Sequence, residues 1–304
     1  MTIKKWLIIP GLALGLSAGA AQAVPTAADI VLLVDESGSM GGEHSWIQGM
    51  VSDLESALVA AGVGAGADPN RYAVVGFGSS IHDPDPFGGL TEEPHKHPTA
   101  GPDWLTAGNI TSATSELSTF GGTEDGWAAI DFFFDNYTPR ANAALNLILI
   151  TDEDRDNTDA SLSYSGILNR MAARSALLNV VVYCGFADGG GNRAIGVADD
   201  GTAYLEDGFG GFTASTGGTQ SGFCSGTTMG DYVNLAWDTG GAAWDLDILR
   251  AGGNSAQSFT AAFVDLKVAE IRQQPPTGQV PEPATLALVG MGLLGLGARR
   301  RLRR

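Results

Sequence analysis

Positive charge and cysteine are both scarce in this 304-residue chain, which holds 17 Lys and Arg against 34 Asp and Glu, and two cysteines. A surface so poor in cations repels nucleic acid and anionic lipid, whose phosphates demand clustered Lys and Arg. No apolar run reaches the ~20 residues of a permanent membrane span. There is no Gly-x-Ser-x-Gly elbow, and no base of obvious identity stands near Ser37, so a serine hydrolase is not indicated. The glycine-rich "DGGGN" at 188–192 lacks the lysine and the strand-to-helix context of a phosphate loop, and reads as a flexible spacer.

What is present at the two ends is processing information. Lys4 and Lys5 precede the apolar stretch Trp6 to Ala20, and Ala21-Gln22-Ala23 is a small-residue cleavage site. Residues 1–23 therefore read as a secretory signal peptide. At the other end Val280-Pro281-Glu282-Pro283 leads into apolar Ala284 to Ala298, then Arg299, Arg300, Arg301, Arg303 and Arg304. The arginines should halt translocation, and the thin apolar segment suits a transient membrane anchor. Residue for residue, this tail resembles the PEP-CTERM sorting signal. The resemblance implies cutting by an exosortase-type enzyme near the Pro-Glu-Pro and delivery to the cell surface or extracellular matrix of a Gram-negative cell.

Residues 281–304 are thus read as the sorting signal, 274–280 as an extended linker, and 24–273 as the folded body. Without Lys4, Lys5, the five terminal arginines and Glu282, the body carries about −23. That charge keeps an exported protein soluble and attracts divalent cations and basic partners. Cys184 and Cys224 enter an oxidising compartment and are expected to bond, closing a loop of about 40 residues worth about 3–4 kcal/mol.

The body alternates as an α/β domain does. Ile30–Val34, Tyr72–Gly78, Leu145–Thr151 and Val180–Gly185 are near-continuous apolar runs, as parallel strands covered on both faces require. Helical periodicity marks Trp46 to Ala61, Trp127 to Phe134, Tyr164 to Met171 and Phe259 to Glu270. Two segments break the rhythm: proline-rich 80–119 and glycine-rich 186–231, both read as insertions. The first holds His82, His95 and His97; "HKH" has a spacing that can chelate, but the setting reads as a solvated loop.

The stretch "DIVLLVDESGSMGG" (29–42) places a carboxylate, Asp35, where a buried strand ends. Ser37 and Ser39 alternate after it and so can point the same way. Thr123 lies in "TFGGTEDGW", and Asp152 ends a second strand in "LILITDED". Ligands of open parallel sheets bind beyond the carboxyl ends of the strands, where these loops would converge. Hydroxyls and carboxylates are hard oxygen donors, suited to Mg²⁺, Mn²⁺ or Ca²⁺. An ion held largely by neutral hydroxyls keeps residual positive charge and accepts a further carboxylate from a partner.

Asp35-x-Ser37-x-Ser39, Thr123 after Gly121-Gly122, and Asp152 after an apolar strand together resemble the metal-ion-dependent adhesion site of von Willebrand factor type A domains. The likeness runs over residues 29–272, and "TGGAAWDL" (239–246) looks like the family's last strand. It implies a Rossmann-like, mostly parallel sheet flanked by helices on both faces. It also implies a divalent cation, Mg²⁺ foremost, contacted directly by Ser37, Ser39 and Thr123, with Asp35 and Asp152 acting through water. The family usually has glycine after the second aspartate, whereas Glu153-Asp154-Arg155-Asp156 stands here, with Glu124 and Asp125 beside Thr123. These acids could tighten cation binding, favour Ca²⁺ or fill the open position, and Arg155 could neutralise some of them. The expectation is a non-enzymatic, cation-dependent adhesion protein for a protein or acidic polysaccharide. The alternative is a structural matrix component whose cation only stiffens the fold.

Overall fold

The computed structural model describes residues 25–81 and 92–275; the signal peptide, residues 82–91 with His82, and the C-terminal sorting signal lie outside the described residues. The first half of the chain forms β1 (Ala28–Asp35), α1 (Glu43–Ala60), β2 (Arg71–Phe77), β3 (His95–His97), α2 (Thr111–Thr114), α3 (Gly126–Asn136) and β4 (Ala144–Thr151). Next come α4 (Tyr164–Ala172), β5 (Leu177–Val182), β6 (Cys184–Ala187), β7 (Arg193–Ala194), β8 (Gly196–Ala198), β9 (Ala203–Glu206), β10 (Phe212–Ser215) and β11 (Thr219–Cys224). The last elements are α5 (Asn234–Asp238), β12 (Ala242–Asp245), α6 (Leu246–Arg250) and α7 (Gly253–Gln273).

Nine strands make one sheet, ordered β10-β9-β8-β12-β5-β4-β1-β2-β3. Its centre, from β12 to β2, is parallel throughout, and both edges run antiparallel. Every residue of β1 and β4 is buried, which explains their unbroken apolar reading. The period of two divides β1 between the sheet's faces. Ile30, Leu32 and Val34 pack with Ile47, Met50 and Leu54 of α1 and Phe259 and Phe263 of α7. Val31 and Leu33 share the other core with Ile130 and Phe133 of α3, Ile167 and Met171 of α4, and Leu235 of α5. Helices therefore flank both faces, as expected. Among the described residues no helix is long and apolar enough to cross a membrane.

The described parts of the two insertions are more ordered than their composition suggests. "HKH" is strand β3, added to the edge of β2, with His97 buried, so the solvated-loop reading is corrected. Residues 186–231 extend the main sheet through β8–β10 and build a second sheet, β11-β6-β7. Cys184 and Cys224 face each other across β6 and β11 and are bonded. "DGGGN" is a cinched turn and no flexible spacer. The Asn192 side-chain amide donates to both oxygens of Asp188, at 3.2 and 3.0 Å. The Asn192 and Gly190 backbone amides donate to Oδ1 at 2.8 and 2.9 Å, and the Ser215 hydroxyl to Oδ2 at 2.9 Å. An aspartate gathering its own backbone in this way needs no apolar burial to order a loop.

Led by the Asn192 side chain and amide, those bonds hold the Asp188 carboxyl down at about 2, below the ~3.9 of an unfolded aspartate. The stabilisation they give is complete above about pH 4 and is lost as the pH falls toward 2. Amide hydrogen exchange at Gly190 and Asn192, corrected for intrinsic rate, is expected to accelerate over that interval and to be fast at every pH in Asp188→Ala. Replacing both cysteines by serine opens a loop with a sequence separation of 40 and is expected to remove about 4 kcal/mol of stability in urea titrations.

Candidate functional site

β1 has β2 on one side and β4 on the other, so the winding of the chain reverses between β1 and β4 and a crevice opens beyond their carboxyl ends. Register pairs Val34 with Ile150, which sets Asp35 level with Thr151. Asp35 is fully buried there. Its Oδ2 accepts the Thr151 hydroxyl at 2.8 Å and its Oδ1 accepts the Ser37 amide at 2.7 Å. The second bond curls residues 36–40 over the strand end. Ser37 and Ser39 then turn the same way, their hydroxyl oxygens 3.0 Å apart, and the Ser39 hydroxyl donates to Asp152 Oδ1 at 2.8 Å.

A third segment closes on this loop. The Phe120 amide donates to the Glu36 carbonyl at 3.0 Å, and the Gly38 amide to the Gly121 carbonyl at 3.2 Å. Gly78 shows how tightly the parts meet. A β-carbon there would lie 3.2 Å from Glu124 Cγ, 3.3 Å from Asp35 Oδ1 and 3.7 Å from the Thr123 carbonyl, and the residue's φ is +76°. Thr123 itself is exposed on the rim, and among the described residues no hydrogen bond joins its hydroxyl to the other four. The structure thus links Asp35, Ser37, Ser39 and Asp152 in one hydrogen-bonded chain and sets Thr123 beside it.

Sequence reasoning missed the residues that brace these side chains. Thr151 anchors Asp35 from the neighbouring strand. Arg250, at the end of α6, donates to Asp152 Oδ2 at 2.8 Å and to the Ser39 carbonyl at 3.2 Å, and pairs with Glu43, the buried first residue of α1. Nothing local in the sequence signals Arg250, which lies 98 positions from Asp152.

The acidic run after Asp152 is tied largely into its surroundings. Asp154 accepts the Thr227 amide at 3.0 Å, and Asp156 the Glu124 amide at 2.7 Å. Arg155 forks onto Asp125 at 2.7 and 3.0 Å and lies over the Trp127 ring, while Asp125 caps α3 through the Trp127 and Ala128 amides. Burial pushes the Asp35 carboxyl up to about 7. Burial and the charge of Asp35 together push Glu124 up to about 9. Two carboxyls held this close in a dry setting resist ionising together and favour a positive charge between them.

The donor set fits a small hard cation. Neighbouring ligands of an octahedral Mg²⁺ with bonds of about 2.0–2.1 Å stand about 2.8–3.0 Å apart. Ser37 to Ser39 at 3.0 Å and Ser39 to Asp152 at 2.8 Å are two such edges. Ser37, Ser39 and Asp152 would hold the ion, with Asp35 behind them and Thr123 on the adjoining rim.

Arg250 supplies the counter-charge for two carboxylates at once. Arg250→Met leaves Glu43 buried and uncompensated, and is expected to cost about 3–5 kcal/mol, read as a lowered urea midpoint. Adding Glu43→Gln should recover most of that loss.

Residues 279–301 match the PEP-CTERM protein-sorting motif. No curated protein matches the chain. Among solved structures the chain is similar to proximal thread matrix protein 1 from the mussel byssus with a zinc-occupied MIDAS motif, at 16% identity and a TM-score of 0.36, covering 53% of this chain and 39% of that one. It is similar to the conserved hypothetical protein BatB from Bacteroides thetaiotaomicron, at 15% identity and a TM-score of 0.42, covering 80% and 100%. It is also similar to a von Willebrand factor type A protein from Catenulispora acidiphila, at 18% identity and a TM-score of 0.31, covering 52% and 33%. The chain spans about two-fifths of the mussel protein and one-third of the Catenulispora protein. Its C-terminal motif marks it as an exported, envelope-associated protein of the kind processed by exosortase-type enzymes.

Proposed function

We propose that this is an exported, surface-sorted binding protein of the von Willebrand type A class. It docks an acidic group of a protein or polysaccharide through a divalent cation held by Asp35, Ser37, Ser39, Thr123 and Asp152. The observation that carries the reading is the spacing of the Ser37, Ser39 and Asp152 oxygens, at 3.0 and 2.8 Å, on a switch-point crevice. The chemistry follows from the ligand types. Two or three neutral hydroxyls lower the cation's charge little, so an incoming carboxylate gains a strong contact that water alone does not match. The body's own negative charge opposes such a partner only at long range, and physiological salt screens that repulsion beyond about 8 Å. The reading is binding and not catalysis, since the described partner of the Ser37 hydroxyl is another serine and no general base.

The burial of Asp35 beside Glu124 favours a second reading, a matrix component in which the cation serves mainly to hold these carboxyls together. The two readings separate in one experiment. Secreted matrix is pulled down with the purified protein in Mg²⁺ or Ca²⁺ and again in chelator. Binding should be lost in chelator and in Ser39→Ala, whose two removed hydrogen bonds cost about 1–3 kcal/mol of stability. Chelation that lowers the melting temperature while leaving every interaction intact selects the structural reading.

A further inference from the structure

On the other side of the β1 end lies a cluster of different chemistry. The side chain of Glu36 leaves the chain opposite Asp35 and meets β3. Glu36 Oε2 stands 2.7 Å from His95 Nε2 and 3.2 Å from His97 Nε2, and the two ring nitrogens are 3.1 Å apart. Glu36 and His97 are buried and His95 half-buried. Three ligand atoms around a tetrahedral ion with bonds of 2.0–2.1 Å stand about 3.3 Å apart, so two edges of this triangle need to open by about 0.1–0.2 Å and the 2.7 Å edge by about 0.6 Å.

The outer contacts decide what the inner atoms can do. His95 Nδ1 lies 3.0 Å from the Glu93 carbonyl, which can only accept, so Nδ1 carries the hydrogen. His97 Nδ1 lies 3.3 Å from Glu116 Oε2, itself tied to the Thr99 amide at 2.7 Å, and donates likewise. With both hydrogens on Nδ1, both Nε2 lone pairs face the same carboxylate oxygen. A single proton on His95 Nε2 would serve its 2.7 Å contact to Glu36 but leave the His97 Nε2 lone pair facing the same oxygen at 3.2 Å, and protons on both rings would set two N–H groups against each other at 3.1 Å. One metal cation serves all three. A carbonyl or carboxylate behind each ligating histidine is also the usual outer-shell arrangement of such sites.

The backbone makes room for the cluster. Gly76 pairs with His95 across the β2–β3 ladder. A β-carbon on Gly76 would lie 2.0 Å from Glu36 Oε2 and 2.8 Å from His95 Nε2. Any larger residue would thus fill the space in which the carboxylate meets the imidazoles. The other oxygen, Glu36 Oε1, accepts the Ser118 amide at 2.6 Å.

We propose that Glu36, His95 and His97 form a second metal site that takes a zinc-class divalent cation, distinct from the hydroxyl and carboxylate site on the far side of the strand end. Two imidazoles and one carboxylate select Zn²⁺ or its borderline relatives over Mg²⁺ and Ca²⁺. Through Ser118 and the Phe120–Glu36 bond, an ion there also holds the segment that leads to Thr123.

The test uses the purified full chain, stripped of metal and titrated with Zn²⁺ in a calorimeter and with Co²⁺ in a visible spectrometer. In excess Mg²⁺, which fills the hydroxyl and carboxylate site, wild type should bind one equivalent of Zn²⁺ and give the intense absorption of tetrahedral Co²⁺. His95→Gln should weaken Zn²⁺ by more than about 100-fold, and Glu116→Gln, behind a ligand, by about 10–100-fold. Because His95→Gln could unfold the edge strand, X-ray absorption at the zinc edge of the unmodified protein supplies an independent count, expected to be two imidazoles. Zinc affinity unchanged in folded His95→Gln, displacement of the bound zinc by excess Mg²⁺, or fewer than two imidazoles on the metal would each overturn the proposal.

Discussion

One buried carboxylate organises the carboxyl edge of this sheet. Asp35 sits where water cannot solvate it, so its oxygens must be met by protein donors. Thr151 on the adjacent strand and the Ser37 amide meet them. The first bond locks the ends of β1 and β4 at one level. The second forces the chain to turn at once, which aims Ser37 and Ser39 back over the strand end and within reach of Asp152. The convergence of the site therefore follows from the need to satisfy one desolvated carboxyl group.

An acidic chain with few cations has to place each cation where it counts. Arg250 ties Asp152 to Glu43. Arg155 binds Asp125 and covers Trp127. At the opposite end of β1, Arg71 forks onto fully buried Asp29 at 2.7 and 3.0 Å, and Arg140 donates to it from its backbone amide at 2.7 Å and its guanidinium at 2.9 Å. Lys267 is buried against Glu270 and Asn146 at 2.8 Å each. Isolated surface ion pairs contribute little, but a buried carboxylate stripped of its partner costs several kcal/mol. The scarcity of Lys and Arg thus makes these positions hard to substitute, whereas most surface acids carry no such burden.

The two faces of the strand end show how adjacent residues acquire different chemistry. Asp35 looks toward hydroxyls and a carboxylate, and Glu36 toward imidazoles. The same loop, residues 118–123, touches both sides, through the Ser118 amide on Glu36 Oε1 and the Gly121 carbonyl on Gly38. Order on the imidazole face therefore bears on where Thr123 sits at the rim of the other.

Strands buried on both faces and helices with one apolar stripe were legible from residue type and period alone, because burial dictates composition locally. The alternation in Asp35-x-Ser37-x-Ser39 likewise announced a loop with its oxygens on one side. Only the tertiary structure decided what those oxygens meet. The anchoring of Asp35 by Thr151, the counter-charge from Arg250, and the meeting of Glu36 with "HKH" all join residues far apart in sequence. Such pairs leave no local period, and which of many candidate partners is chosen depends on strand order and register, which are properties of the whole sheet. The turn at Asp188 fails for the opposite reason. Its order is local, but it is held by hydrogen bonds, which glycine-rich composition conceals.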